Sequence, residues 1–392
     1  MIRHLLIVIS ALFLFVGCVQ EHSSQVPGVI TSLTDSIKNQ YVPDKRVAKF
    51  DVTVEMKDGK LLLIGETDQP KALDVLISQI SEYEIRNEVN ILPDQSVDKY
   101  PMAIVNNSVA NLRSKPKHSS ELATQAILGT VMKVLKITEE WYLVQTPDDY
   151  ISWVDHGGVQ LKTQGEYLDW QKSQKVIMTT LNAVVRNKHD HVVSDVILGN
   201  VLEKMGEVGK SVQVRFPDGR TGFISKENVV DYNLWLNELN PSGELVVDYA
   251  RQLMGAPYLW GGTSSKGMDC SGFTKTVYFM NGLVIPRDAS QQVNAGIVVD
   301  SELKFEGLEK GDLLFFGKPA TDSTKQRTTH VGIWLGNYEF IHASKQVRIS
   351  SIDSNSPNYD EYNRNRYLGS RRYLKNVAGN IIDMKTELTF QK

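Results

Sequence analysis

Cysteine is almost absent from this chain: there are two, Cys18 and Cys270, among 392 residues. Two thiols cannot build the disulfide framework on which small exported folds depend, so the fold must rest on apolar cores. Charge of one sign is lacking too. Forty-three Lys and Arg stand against 46 Asp and Glu, a net charge of −3, and nothing in that balance calls for a nucleic acid. After the first eighteen residues no apolar run is long enough for a transmembrane helix. Apolar residues at 41% and charged residues at 23% are ordinary for a globular chain, and the length suggests two to four domains.

The amino terminus, MIRHLLIVISALFLFVGC, has a short positive start, an apolar run from Leu5 to Val16 and a small residue before Cys18. That is the anatomy of a secretory signal, too short for a stable membrane span. Its Leu-Phe-Val-Gly-Cys ending resembles the bacterial lipoprotein signal, which implies a signal peptide over 1–17 and acylation of Cys18. The polar stretch 18–24 then serves as a tether, and the protein is expected in the cell envelope, lipid-anchored on the periplasmic or extracytoplasmic face of a bacterial membrane. The alternative is an ordinary signal peptide cut elsewhere. With Cys18 lipidated, Cys270 has no partner, and it reads either as a reactive thiol or as a small buried hydrophobe.

Residues 25–98 read as a small α/β unit. ITSLTDSIKNQY and ALDVLISQISEY have helical spacing, and FDVTVEM and KLLLIGET flank a Lys-Asp-Gly turn, with a further strand near VNILPD. This order resembles small BON-type envelope domains and implies a spacer or docking role. A duplication follows. AILGTVMKVLKITEEWYLVQTPDDYISWV (126–154) aligns without a gap on VILGNVLEKMGEVGKSVQVRFPDGRTGFI (196–224), 70 residues on. Short alternating apolar runs broken by Asp, Gly and Pro make each copy a small β barrel, and the pattern resembles bacterial SH3-like domains, over 99–165 and 166–235. The copies differ at two telling places: Glu121 against His191, and Tyr150 against Arg220. An acid and a phenol together can hold a cationic amine, whereas a lone Glu121 reads as a solvated surface charge. His189 and His191 have no evident third ligand, so no metal is expected there.

Chemistry concentrates after Ser242. GELVVDYARQLMG is an amphipathic helix; Tyr258-Leu-Trp260-Gly-Gly leads into Asp269-Cys270-Ser271-Gly272, where a second helix begins with Asp269 as N-cap and ends near Gly282. A thiol in the first turn of a helix should have its pKa lowered by the unpaired amides and the helix dipole, the setting of a nucleophile. THVGIWLGNYEFIHAS reads as a hairpin carrying His330 and His342. If the two are to share a face directly opposite one another, the loop must be odd-numbered and centred on Gly336, of the three-residue kind; a two-residue Gly336-Asn337 turn would send them to opposite faces. His330 is then the base that takes the thiol proton, and His342 orients it.

Asp-Cys-Ser-Gly-Phe, His-Val-Gly-Ile and Phe-Ile-His-Ala-Ser, in this order, resemble the NlpC-type cysteine peptidases, a papain-like α+β family acting on peptidoglycan peptides. The resemblance covers the peptidase domain at 240–376, leaving 377–392 as a tail. It implies Cys270, His330 and His342 as the catalytic set, an oxyanion hole at the Cys270 amide, and no cofactor. With two SH3-like domains ahead, the chain is similar to the γ-D-glutamyl-L-diamino-acid endopeptidases, in which an acid and a tyrosine of the first barrel join residues of the catalytic motif around the substrate amine. That implies Glu121, Tyr150, Asp269 and Ser271 as amine-binding residues, and Tyr258, Trp260 and Ser290 as further substrate contacts. The implied partners are L-Ala-γ-D-Glu-diamino-acid peptides and, through the anchor, a membrane, with the chain acting as a monomer. A hydrolase of intact peptidoglycan (DL-endopeptidase or amidase) and an idle wall-binding lipoprotein remain as alternatives. The exposed-looking PATDSTKQRTT stretch before His330 has no assigned role beyond that of a lid. Iodoacetamide should abolish hydrolysis; activity indifferent to the reagent would exclude a cysteine mechanism.

Overall fold

The computed structural model describes residues 26–374 and 379–387. The signal peptide, Cys18 and the whole 18–24 tether lie outside them, as do 377–378 and 388–392 of the tail. The chain divides into two compact units, one containing Phe50–Ile91 with the residues up to Pro43, the other containing Asp44–Lys49 with everything from Leu92 onward.

In the smaller unit, helix Gly28–Tyr41 precedes an antiparallel hairpin of Phe50–Lys57 and Lys60–Thr67. Asp58 and Gly59 both take positive φ at its tip, as a two-residue turn matched to strand twist requires. Helix Pro70–Gln79 follows, and strand Ile85–Ile91 returns parallel to Lys60–Thr67. Ile30 and Ile37 on one helix and Leu73 and Leu76 on the other are buried, giving this unit an apolar core of its own.

The larger unit begins with two barrels of the same design. The first is a seven-stranded sheet in the order Val159–Lys162, Met102–Val105, Val131–Ile137, Trp141–Gln145, Ile151–Asp155, Val109–Arg113, Leu122–Ile127. The second repeats that order, strand for strand, from Val229–Asp231 to Val192–Ile197. Even the irregularities recur: the register slips between Val134 and Lys136 in one copy and between Lys204 and Gly206 in the other. Each barrel closes over its own core, centred on Leu112, Val134, Val144 and Val154 in the first and on Val185, Leu202, Val214 and Ile224 in the second. The copies also touch, because the Val201 amide donates to the Leu128 carbonyl at 3.0 Å and Asn200 Nδ2 to the Ser108 carbonyl at 3.1 Å.

The last domain packs helices Gly243–Gln252 and Cys270–Phe279 against a six-stranded antiparallel sheet. Its strands run Ile297–Asp300, Tyr367–Arg372, Leu313–Lys318, Arg327–Gly336, Glu339–Ser344, Gln346–Ser351. Ser242 caps the first helix by accepting from Leu245 N. Phe273, Val277 and Tyr278 of the second helix are fully buried, and the core they enter includes Leu313, Val331, Ile333 and Ile341 of the sheet. The same core takes in Ile177, Leu198 and Val201 of the second barrel, so barrel and catalytic domain share apolar surface. Of the PATDSTKQRTT stretch read as a lid, residues 319–326 form an exposed loop, whereas its last three belong to the strand Arg327–Gly336.

The histidine hairpin departs from the expected register. Asn337 and Tyr338 form a two-residue turn with positive φ at both positions, and Gly336 pairs with Glu339. A slip between Trp334 and Gly336 then shifts the pairing to Trp334 with Phe340 and Ile333 with Ile341. His330 and His342 are therefore diagonal neighbours rather than direct partners. They still share a face, because the bulge at Leu335 reverses the parity that a two-residue turn would impose.

Candidate active site

Asp269 starts the nucleophile helix. Its Oδ1 accepts from Gly272 N at 2.7 Å and its Oδ2 from Gly261 N at 2.9 Å, tying the helix start to the preceding loop. A Cβ on Gly272 would lie 1.9 Å from the Gly262 carbonyl oxygen, so the glycine of Asp-Cys-Ser-Gly is a packing requirement. Cys270 follows in the first helical turn, 7% exposed and free of any disulfide. The thiol takes a backbone hydrogen bond from Val331, the residue after His330, which sets the nucleophile beside the histidine strand.

Two histidines continue the chain of contacts. His330 Nε2 lies 2.7 Å from His342 Nδ1, with the rings edge to face, and His342 Nε2 lies 3.0 Å from Ser350 Oγ. If His330 is to accept the thiol proton on Nδ1, its Nε2–H must donate to His342 Nδ1, and His342 Nε2–H in turn to Ser350. The Asp360 carboxylate stands 3.9 Å from His342 Nε2 and is itself 3.5 Å from Arg348. Burial, the neighbouring imidazole and the nearby Arg366 hold His330 well below the ordinary histidine range, and burial with Arg348 brings His342 down to about 3. Both rings are neutral at physiological pH, the state a base requires.

The thiol departs from the expectation drawn from its helix position. Burial, followed by the Asp269 carboxylate, pushes Cys270 up to about 12. Loss of water and the adjacent negative charge outweigh the amides of the helix start. The resting pair is accordingly thiol and neutral imidazole.

Arg287 was not singled out from the sequence, although it lies in the Pro-Arg-Asp-Ala-Ser stretch that holds Ser290. Its side chain is fully buried and donates to Asp269 through Nη2 at 2.7 Å and Nη1 at 3.1 Å, to Ser271 Oγ at 3.1 Å and to Thr124 Oγ1 of the first barrel at 2.8 Å. Ser271 Oγ in turn donates to Asp269 Oδ1 at 3.2 Å. Asp269 and Ser271 are thus committed to a buried network beneath the nucleophile. A fully buried arginine needs a buried acid, but no sequence spacing reveals which acid that is.

The first barrel forms the facing wall. Trp260 Nε1 donates to Glu121 at 2.8 Å, Thr263 N to Gln125 Oε1 at 3.0 Å and Thr263 Oγ1 to the Gln125 carbonyl at 3.0 Å. Gly261, at φ +79°, leaves no room for a Cβ against the Leu122 carbonyl, 2.2 Å away. Trp260 is 63% exposed and Tyr258 37%, both available to a ligand, and partial burial, followed by the neighbouring Cys270 and Asp269, raises the pKa of the Tyr258 phenol. Tyr150 Oη donates to Asp288 Oδ2 at 3.4 Å, and Ser290 lies two residues beyond that aspartate. In the second barrel the counterpart of Tyr150, Arg220, instead bonds Asp218 and the Asn106 carbonyl of the first barrel. Among the described residues no group of three or more His, Cys, Asp or Glu is arranged to hold a metal ion.

The profile of the NlpC/P60 family matches residues 255–372, and that of the bacterial dipeptidyl-peptidase Sh3 domain matches 112–158. A γ-D-glutamyl-L-lysine dipeptidyl-peptidase of Bacillus cereus is 31% identical over 268 residues, covering 66% of this chain and 77% of that one. The chain belongs to the NlpC/P60 family. Dipeptidyl-peptidase 6 of Lysinibacillus sphaericus is 28% identical over 66% of this chain and 94% of its own length. A crystal structure of an NlpC/P60 family protein from Bacillus cereus superposes with a TM-score of 0.58 at 28% identity, covering 70% of this chain and 99% of that one. With Cys270, His330 and His342 assembled as above, this NlpC/P60 protein is a cysteine peptidase.

Two outcomes follow from the electrostatics. Because protonation of His330 removes the base and its pKa lies below the ordinary value, kcat/KM, which reports the free enzyme, should stay level as pH falls to about 6.5 and decline only below that; a midpoint at or above 6.5 would contradict a buried, neutral His330. Arg287→Met strands the Asp269 carboxylate and should cost about 3–5 kcal/mol in urea denaturation. Arg287→Lys should recover only part of it, since an ammonium cannot span Asp269, Ser271 and Thr124 at once.

Proposed function

We propose that this peptidase hydrolyses the bond between γ-D-glutamate and the diamino acid in peptidoglycan-derived peptides whose N-terminal L-alanine is free. The reading is carried by the position of Glu121: an acid of the first barrel, hydrogen-bonded to Trp260 at the approach to the nucleophile. Tyr150 of the first barrel hydrogen-bonds Asp288 of the catalytic domain along the same wall. The Glu121 carboxylate attracts an ammonium, and an acyl cap on the alanine would remove the charge and forfeit that attraction. The relative named γ-D-glutamyl-L-lysine dipeptidyl-peptidase supports the same bond, and the one named dipeptidyl-peptidase 6 supports release of a dipeptide.

In the proposed reaction Cys270 Sγ attacks the γ-carbonyl carbon of the D-glutamyl residue while its proton passes to His330. The developing oxyanion faces the Cys270 amide at the helix start, since the Gly272 amide beyond it is already held by Asp269. Collapse breaks the C–N bond, and His330 returns the proton to the departing amine of the diamino acid. Water, deprotonated by the same imidazole, then releases the L-Ala-γ-D-Glu dipeptide from the thioester. His342, held by Ser350, keeps the His330 ring in the orientation for both transfers.

The site serves released peptides, so the proposal places the enzyme in cell-wall peptide recycling, acting as a monomer at the envelope and held to the membrane through Cys18. A digest tests the substrate claim. Free L-Ala-γ-D-Glu-diaminopimelate should be cut about tenfold faster than its muramyl-capped form, the discrimination expected when one charge-assisted hydrogen bond to the exposed Glu121 is lost. Comparable cleavage of both would favour a hydrolase of intact wall.

A further inference from the structure

Residues 44–49 lie outside both stretches matched by the family profiles, yet they pack with the larger unit. Arg46 is their centre. Its carbonyl accepts from Ile151 N at 2.7 Å, the residue after Tyr150 in the first barrel. Its Nη1 donates to Asp288 Oδ2 at 2.7 Å and to Ser290 Oγ at 3.0 Å in the catalytic domain. Nε and Nη2 both donate to Asp44 at 2.7 Å, and Asp44 Oδ2 accepts from Gln291 Nε2 at 2.8 Å. The guanidinium is about one-third exposed.

These contacts dictate which way two hydroxyl groups can point. Ser290 Oγ receives the Arg46 proton, so its own O–H is left to donate elsewhere. Tyr150 spends its proton on the Asp288 oxygen that Arg46 also holds, which leaves the phenol oxygen as an acceptor. Hydroxyls otherwise rotate freely, and a planar guanidinium fork fixes acceptors in both distance and angle. Four of its five N–H groups are engaged, two of them on Asp44 of its own segment, so it has little freedom to leave.

We propose that Arg46 is a positioning residue of the substrate site. By bridging the Tyr150 edge of the first barrel to Asp288 and Ser290, it sets Tyr150 as an acceptor for the substrate ammonium and Ser290 as a donor to a substrate oxygen. The inference rests on the reading that this wall binds the N-terminal end of the peptide. It adds a third contributor to a cleft otherwise built by the first barrel and the catalytic domain.

Steady-state kinetics on L-Ala-γ-D-Glu-diaminopimelate test it, using wild type, Arg46→Gln and Arg46→Lys in the full chain. Arg46→Gln should raise KM about tenfold with kcat within about twofold, the loss expected for one charge-assisted hydrogen bond that acts on binding alone. Arg46→Lys keeps the charge on Asp288 but not the fork, and should sit about threefold above wild type. The rate of Cys270 alkylation by iodoacetamide should be the same in all three, since the nucleophile is untouched. A wild-type KM in Arg46→Gln overturns the inference. So does a fall in kcat and alkylation rate together with the melting temperature, which would make Arg46 a structural brace only. Should Arg46→Gln fail to fold, Asp44→Asn loosens the guanidinium while keeping its charge, and an unchanged KM there overturns the inference equally. The substrate reading itself is judged on the wild type, by free against capped peptide, so the two can fail separately.

Discussion

The Arg287 guanidinium is the point through which this active site is assembled. It holds both oxygens of Asp269, the hydroxyl of Ser271 and the hydroxyl of Thr124, and it does so fully buried. Asp269 caps the nucleophile helix and anchors the loop at Gly261, so the same ion pair fixes where Cys270 begins. Thr124 belongs to the first barrel, so it also fixes where that barrel meets the catalytic domain. A buried ion pair contributes little net stability, because desolvation offsets much of the Coulomb attraction. What it supplies here is geometry, since losing either partner leaves an uncompensated charge under the nucleophile.

The network has an electrostatic consequence for the chemistry. Burial and the Asp269 carboxylate raise the Cys270 thiol, while burial and the nearby arginines lower both histidines. Nucleophile and base are thereby held neutral until substrate arrives. In the proposed reaction charge separates only as Cys270 attacks, where the Cys270 amide and the ordered His330–His342–Ser350 chain can receive it. A neutral pair also spares the site a standing ion pair in a water-poor pocket.

Duplicated barrels have diverged in use. Strand order, register and even the bulge positions are retained, because each copy must close its own apolar core. At the positions that differ, the first copy turns Glu121 and Tyr150 towards the catalytic domain, whereas the second uses Arg220 to brace the first barrel. The scaffold is held by packing, and the chemistry is changed at its edge.

Much was legible from pattern alone. Period-two runs broken by Asp, Gly and Pro marked the barrels, and the 70-residue repeat marked their number. Asp-Cys-Ser-Gly and the two histidines stood out because a helix cap, a thiol and a hairpin are local features, encoded within a few residues. Three things were not local. The turn at Asn337-Tyr338 could be read only together with the bulge at Leu335, which depends on packing against the neighbouring strand. The thiol's pKa followed from how deeply the helix start is buried, which one helix cannot reveal. Arg287 and Arg46 found their partners, Thr124 and Ile151 in the first barrel and Asp269, Asp288 and Ser290 in the catalytic domain, across gaps of 18 to 244 residues. The sequence by itself determined which elements form and which side chains can carry the chemistry. Only the tertiary structure decided which of them meet and in what charge state, because desolvation and pairing are properties of the assembled interior.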